Sequence, residues 1–254
     1  MSKNQVPSVH KAINILELLK EHDFLTLKDI SNSLKLPTST CYNILTTLEN
    51  RGFIQRNTET GQYILGLTLM HLGLSIYNKI DLKKVGTIHL SELSEDFGET
   101  AYLTVLDRSH FKGIVVERLQ SKRTGLVYSR NIGDTFPIYA SGTGKSLLSG
   151  LNDEEINYFF EKTEMISYTS KTITNEEKLR DEIQDIRRKG YAISNSAFEE
   201  NVISVSSPIK DSFGKVIAAV SLVGPVNRIS PIIEAVIESV KRTAFEISKA
   251  MGYK

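Results

Sequence analysis

Residues 36–52 read LPTSTCYNILTTLENRG. Cys41, Ile44, Leu45 and Leu48 recur at three- and four-residue steps, which puts them on one face of a helix. Pro37 suits the first position of that helix, where a missing N–H costs nothing and the preset φ helps. Gly52 ends it. The opposite face carries Ser39, Asn43, Thr46 and Asn50, with Tyr42 on its edge. Thr38, Ser39 and Thr40 stand at the N-terminus, where free backbone N–H groups and a partial positive charge favour phosphate. Asparagine can pair in a bidentate way with adenine in the major groove, and serine or threonine can bond base edges or phosphates. The candidate DNA contacts are therefore Thr38, Ser39, Thr40, Tyr42, Asn43 and Thr46. Arg51, Arg56 and the tip at Thr60-Gly61 are placed to flank them. The bland alternative is a solvated polar helix face.

The surroundings fit a reader of DNA. Upstream, Thr26 opens a second helix with Asp29 three residues on, a variant of the capping box. Leu27, Ile30 and Leu34 form its apolar stripe, and Lys35-Leu36-Pro37 makes a tight turn. Further upstream, Val9, Ala12, Ile13, Leu16 and Leu19 predict a first helix over 8–20 with those residues inside, ended near Asp23-Phe24. Downstream, 52–56 and 62–65 read as strands around the turn chemistry of Asn57–Gly61. Three helices followed by a hairpin is the winged helix-turn-helix order. Residues 67–80 are apolar on nearly every side (Leu67, Leu69, Met70, Leu72, Leu74, Ile76). Such a helix is expected to be buried, in a core or against a second subunit.

From Leu82 the pattern is mixed. It predicts helices near 82–97, 141–149, 153–162, 175–189 and 231–251. Strands are expected near 99–107, 112–119, 125–130, 191–194, 202–210 and 215–223. Grouped strands favour an α+β domain with a mainly antiparallel sheet, GAF/profilin-like, over a Rossmann layout. The expected division is a winged helix-turn-helix over 1–66, a connecting and dimerisation helix over 67–80, and an effector-binding domain over 81–254.

Bulk properties narrow the class. The chain has 254 residues and a net charge of +1, with 24% charged residues. That balance argues against nonspecific coating of nucleic acid, though not against specific binding. The first 80 residues hold eight Lys/Arg against six Asp/Glu, a weak bias in the direction a reader needs. One cysteine, Cys41, allows no internal disulfide and suits a reducing compartment. No signal segment or membrane-spanning run is evident, so the reading is a cytoplasmic protein with no membrane partner. The five histidines show no metal-ligand spacing, and neither a metal nor a cofactor is expected.

The chain resembles the IclR family of bacterial regulators. In the first part the match covers Ser8–Leu16 (SVHKAINIL), Leu36–Thr40 (LPTST), Leu48–Phe53 (LENRGF) and Thr60–Gly66 (TGQYILG). In the second it covers Gly98–Thr100 (GET), Phe136–Leu148 (FPIYASGTGKSLL), Arg187–Tyr191 (RRKGY) and Ala219–Pro225 (AVSLVGP). The blocks run in family order along almost the whole chain. The resemblance implies a DNA-binding transcriptional regulator, by default a repressor of a catabolic operon, acting as a homodimer or tetramer on double-stranded operator DNA. It identifies 67–80 as the helix that joins reader to sensor and takes part in dimerisation. One departure concerns the reader. The family often has a basic residue after the Pro37-like proline and His-Arg where this chain has Tyr42-Asn43, so base contacts here would rest on hydrogen bonding.

For the sensor, family pocket positions map onto Tyr128, Phe136, Gly142, Thr143, Ser194, Val202, Ser204, Ser221 and Val223. In glyoxylate- and pyruvate-binding relatives the Ser194 and Ser204 positions are an aspartate and a cysteine, and the Tyr128 and Phe136 positions are smaller or aliphatic. An acid and a thiol are lost here and two rings gained. The resemblance therefore implies an effector larger than a two- or three-carbon acid: an organic, sugar-derived or aromatic acid. The Gly142–Ser146 stretch (GTGKS) imitates a nucleotide loop, but the glycine that pattern needs five residues before Gly144 is Tyr139. Glu199-Glu200 reads as an exposed acidic pair and Glu176–Lys189 as a solvated helix face. The rival class is a small-molecule-transforming enzyme fused to a DNA reader. It calls for a base placed beside a nucleophile, and no such pair stands out.

Overall fold

The computed structural model describes residues 6–22, 24–77, 81–123 and 127–254. It separates into two units, residues 1–79 and 80–254.

The first unit holds α1 (Pro7–Glu21), β1 (Leu25–Thr26), α2 (Leu27–Ser33), α3 (Thr38–Asn50), β2 (Ile54–Arg56), β3 (Gln62–Leu65) and α4 (Leu67–Tyr77). Its core gathers Ile15, Leu19, Ile30, Cys41, Leu45, Ile54 and Tyr63. Thr26 caps α2 as expected: its Oγ1 accepts from Asp29 N, and Asp29 accepts from Thr26 N at 2.9 Å. A cap of this kind contributes about 1 kcal/mol. The α2–α3 turn closes through Lys35 at φ +50° and through Leu36 N donating to Ser31 O at 2.9 Å. At the far end of α3, Gly52 takes φ +71°, a left-handed conformation that glycine adopts without the steric cost of a Cβ.

Several details differ from the sequence expectation. Pro37 is the N-cap of α3, in extended conformation, and Thr38 is the first helical residue. The wing has a third strand, β1, which pairs antiparallel with β3. On α1 the buried residues are Ile15 and Leu19, while Val9 and Ile13 are 55% and 47% exposed. The core contacts only the inward stripe of this short helix, and its other apolar residues border a groove with Ile44 and Phe53. The first part of helix α4 is not buried within the chain, since Leu67, Met70 and Leu72 are 66%, 59% and 47% exposed. The side chains of Leu74 and Ile76, and residues 78–80, lie outside the described residues.

The second unit contains α5 (Asp81–Phe97), β4 (Thr100–Asp107), β5 (Lys112–Leu119), β6 (Thr135–Pro137), α6 (Gly142–Leu148), α7 (Asp153–Lys162) and α8 (Glu176–Lys189). It continues through β7 (Ala192–Asn195), β8 (Val202–Lys210), β9 (Val216–Pro225), the short α9 (Val226–Ile229) and α10 (Ile233–Ala250). Six strands form one antiparallel sheet in the order β6-β5-β4-β9-β8-β7. The strand alternation sorts the side chains between two faces. Ala101, Leu103, Ile203, Val205, Val220 and Leu222 pack with α5 and α10. The intervening Tyr102, Thr104, Ser204, Ser221 and Val223 face the other way and line a cavity.

The strand expected near 125–130 is absent from its described part, 127–130; residues 125 and 126 lie outside the described residues. The edge strand is β6 instead, paired to β5. Around Tyr128 and Arg130 the backbone bonds side chains rather than a ladder. Tyr128 O accepts from Thr100 Oγ1 at 3.0 Å, and Arg130 N donates to Tyr102 Oη at 3.0 Å.

Glu99 lies at the start of β4, 2% exposed, where both its oxygens accept from Arg228. That pair ties the sheet to α9.

Candidate functional site

Two sites emerge, one in each unit. On α3, Thr38, Ser39, Tyr42 and Asn43 are exposed, as are Arg51 and Arg56 beyond it. Thr40 and Thr46 are half-buried, so they are less available than the periodicity suggested. Thr47, not singled out in the sequence, is exposed instead, and with Asn43 and Asn50 it completes a stripe of i, i+4, i+7 spacing. Its Oγ1 donates to Asn43 O at 2.8 Å. The first turn of α3 carries no acidic residue, which leaves its N–H groups and dipole open to an anion. The wing tip is braced by a side chain: Asn57 Oδ1 accepts from the N–H groups of Glu59 and Thr60 at 2.9 and 3.1 Å. Arg56 lies over the Tyr63 ring, 5.6 Å from its centroid. Cys41 is buried in this unit, and burial pushes its thiol pKa up.

In the second unit, Tyr128, Phe136, Thr143, Ser194, Val202, Ser204, Ser221 and Val223 converge on one cavity of about 50 Å³. Gly142 stands just behind it, and a Cβ there would lie 2.8 Å from Ser204 Oγ and 3.3 Å from Ser194 N. Helix α6 can therefore approach β7 and β8 only because residue 142 has no side chain.

The sequence reading missed further members of this wall. Tyr102, Thr104, Val115, Arg130, Phe198 and Glu199 also line it. Thr104 and Tyr102 were legible in principle, because they occupy alternate positions of β4 on the same face. Tyr102 pairs directly with Ser221 of β9. Two buried hydroxyls, Thr104 Oγ1 and Ser221 Oγ, have no hydrogen-bond partner among the described residues. Leaving such a group unpaired costs about 1–3 kcal/mol, so both invite a polar guest.

Among the described residues, Arg130 brings the one cationic side chain to the wall. Its guanidinium lies 5.7, 5.2 and 4.7 Å from the ring centroids of Tyr128, Phe136 and Phe198. Arg130 Nε donates to Tyr128 Oη at 2.5 Å, and Nη2 donates to Glu199 Oε1 at 3.3 Å. Burial pushes the Tyr128 phenol well above its ordinary pKa, so it remains a neutral donor. Glu199, expected to be a plain surface acid, is thus a partner of the cavity wall.

The nucleotide-loop decoy is dismissed by geometry. Lys145 is 3% exposed and its Nζ donates to Glu182 Oε1 at 2.5 Å, so it is spent on α8. Ser146 Oγ pairs with Ser206 Oγ at 2.8 Å. No group of three or more His, Cys, Asp or Glu suited to a metal is present among the described residues. No helix among them is long and apolar enough to cross a membrane.

Comparison with known proteins finds matches to both units. The IclR helix-turn-helix domain model matches residues 8–58, and the C-terminal domain model of the bacterial transcriptional regulator IclR matches 74–249. The HTH-type transcriptional regulator XynR of Escherichia coli is 32% identical over 250 residues, covering 98% of each chain. The acetate operon repressor of Salmonella typhimurium is 30% identical over 227 residues, covering 89% of this chain and 82% of that one. The crystal structure of an IclR homologue from Microbacterium hydrocarbonoxydans, complexed with 4-hydroxybenzoate, superposes with a TM-score of 0.82 at 24% identity. It covers 96% of this chain and 98% of that one. The winged reader, the antiparallel sensor sheet and these matches agree: the chain belongs to the IclR family of bacterial transcriptional regulators.

Proposed function

We propose that this regulator is a repressor whose operator affinity is set by a small organic acid held in the cavity of the second unit. The observation that carries the reading is the cavity itself. It is ring-lined and, among the described residues, carries one guanidinium and two buried hydroxyls that lack partners. The domain limits proposed are a reader over 1–66, a connecting helix over 67–80 and a sensor over 81–254.

In the reader, Thr38 and Ser39 would hold phosphate, with the half-buried Thr40 behind them, and Tyr42, Asn43 and the exposed Thr47 would meet base edges, with Thr46 half-buried beside them. Arg51 and Arg56 would meet the flanking backbone. A homodimer, or a tetramer built from two, would present two such helices to two half-sites. The exposed apolar residues of α4 supply surface for that pairing. The site of action is the cytoplasm, where operator DNA is.

Two features support an aromatic or other cyclic acid. The cavity is walled by Tyr102, Tyr128, Phe136 and Phe198, and the Microbacterium homologue holds an aromatic acid. A volume of about 50 Å³ accommodates only a few waters, so a ring-sized acid enters by displacing the Phe198–Glu199 wall. The repressor sign draws on the acetate operon repressor. The test is a fluorescence-anisotropy titration of the full chain against DNA from its own promoter, with and without a panel of carboxylic acids. One acid should lower DNA affinity. Tight glyoxylate binding with no competition from larger acids would overturn the larger-ligand reading.

A further inference from the structure

We propose that Arg130 is the subsite for the carboxylate of the bound acid and that Glu199 occupies this subsite in the free protein. The proposal rests on the reading of the cavity as an effector pocket, and adds which end of the ligand is held where.

The guanidinium is fixed. Three rings pack on it, Nε is held by Tyr128 Oη, and the Arg130 backbone N–H is held by Tyr102 Oη. Its side chain is 18% exposed. The acid facing it is not fixed. Glu199 is 47% exposed and offers Arg130 a single oxygen at 3.3 Å, which also accepts from Tyr128 Oη at 3.3 Å. Arginine recognises carboxylates best through two parallel, short hydrogen bonds. Here that fork is half used, and the carboxylate in place makes one long bond from a half-exposed side chain, a contact of the sort worth little.

A ligand carboxylate delivered from inside the cavity would take the fork in the two-pronged geometry and expel Glu199. Glu199 lies in the loop between β7 and β8, next to Phe198, the ring nearest the guanidinium. Residues Ser196 and Asn201, at φ +60° and +61°, bracket that loop. Exchange at Arg130 therefore frees Glu199 from the wall and opens the cavity beside it. The unpaired hydroxyls of Thr104 and Ser221 on the sheet floor remain for a second polar group on the ligand. The chemical class is a monocarboxylic acid with a compact apolar or ring body and a hydroxyl or keto group.

The test is calorimetric titration of the full chain with 4-hydroxybenzoate, benzoate and lactate, each beside its primary amide. An acid should bind at least tenfold more tightly than its amide, the scale of a charge-assisted pair. Arg130→Gln should remove the acid's preference over its amide, whatever it does to both affinities, and Arg130→Lys should restore only part of that preference. Glu199→Gln should tighten acid binding about two- to fivefold, because the internal competitor is gone. Glu199 is a surface residue, so this arm stands even if Arg130→Gln folds poorly. Acid and amide binding alike, or Glu199→Gln weakening the acid, overturns the proposal and leaves the pocket reading intact. If neither wild type nor Glu199→Gln binds any acid or amide of the panel, the pocket reading fails and the proposal with it.

Discussion

Replacing Thr104 with valine should stabilise the free protein while weakening acid binding. Valine keeps the shape of threonine and removes only the hydroxyl. That hydroxyl belongs to a residue 1% exposed and has no partner among the described residues. The penalty for burying it unpaired is about 1–3 kcal/mol. For a domain of this size each kcal/mol moves the melting midpoint by about 2–4 °C, so Thr104→Val should raise it by at least about 2 °C. The control lies on the same strand. Thr100 Oγ1 donates to Tyr128 O at 3.0 Å and accepts from Ser121 N at 3.3 Å. Thr100→Val should lower the midpoint by a similar amount, because it strands Ser121 N and leaves Tyr128 O to the longer bond from Tyr102 Oη at 3.3 Å. Circular dichroism melts of the two variants, with and without a binding acid, give both signs at once. If Thr104→Val destabilises the free protein as much as Thr100→Val does, the hydroxyl is satisfied and is not waiting for a ligand.

Other predictions follow from individual contacts. Glu99→Gln should cost the second unit about 1.5–3 kcal/mol in denaturant unfolding, since it replaces charge-assisted bonds to Arg228 by neutral ones at a position 2% exposed. Asn43→Ala should weaken operator binding by about 1–3 kcal/mol in an anisotropy titration and leave acid binding by calorimetry unchanged. Cys41 should resist a thiol reagent in the folded chain and react only at the rate of unfolding, because it is buried and its thiol pKa is raised. The Thr26 hydroxyl, and then its backbone N–H, hold the Asp29 carboxyl below its usual value. The α2 cap should thus be intact above about pH 4 and be lost as pH falls through the lowered value. Amide exchange at Asp29 follows it, and Asp29→Asn should remove the acid dependence.

Much of the reader was legible because its signals are local. A 3.6-residue apolar period, a capping box and a glycine stop specify α2 and α3 with little tertiary help. The details that slipped are those decided by packing. Whether Thr46 or Thr47 faces outward depends on how α3 rolls on the core, and Val9 and Ile13 are apolar without being inside. The sensor sheet was legible from strand alternation, but its edge was not. Residues 127–130 look strand-like in composition, yet their backbone is recruited by Thr100 and Tyr102 side chains that lie far away in sequence. The same long-range contacts explain why Arg130 went unseen as a wall residue. Nothing near it in the chain says that Phe136 and Phe198 will stack on it. Resemblance supplied the cavity positions from Tyr128 to Ser221, strand alternation could have added Tyr102 and Thr104, and Arg130 became visible only once β4 and the 128–130 segment were folded together.

The central claim is that one chain couples a DNA-reading face to an acid-binding cavity. The most direct measurement is linkage in both directions on the intact chain. Operator affinity is measured with and without saturating acid, and acid affinity with and without saturating operator. The account predicts that the two ratios are equal, in the range of about 5–150-fold typical of coupled sites. It also predicts that Gly142→Ala, whose Cβ would press on Ser204, abolishes the acid's effect on DNA while leaving operator binding alone. Acid binding that leaves operator affinity unchanged would contradict the account.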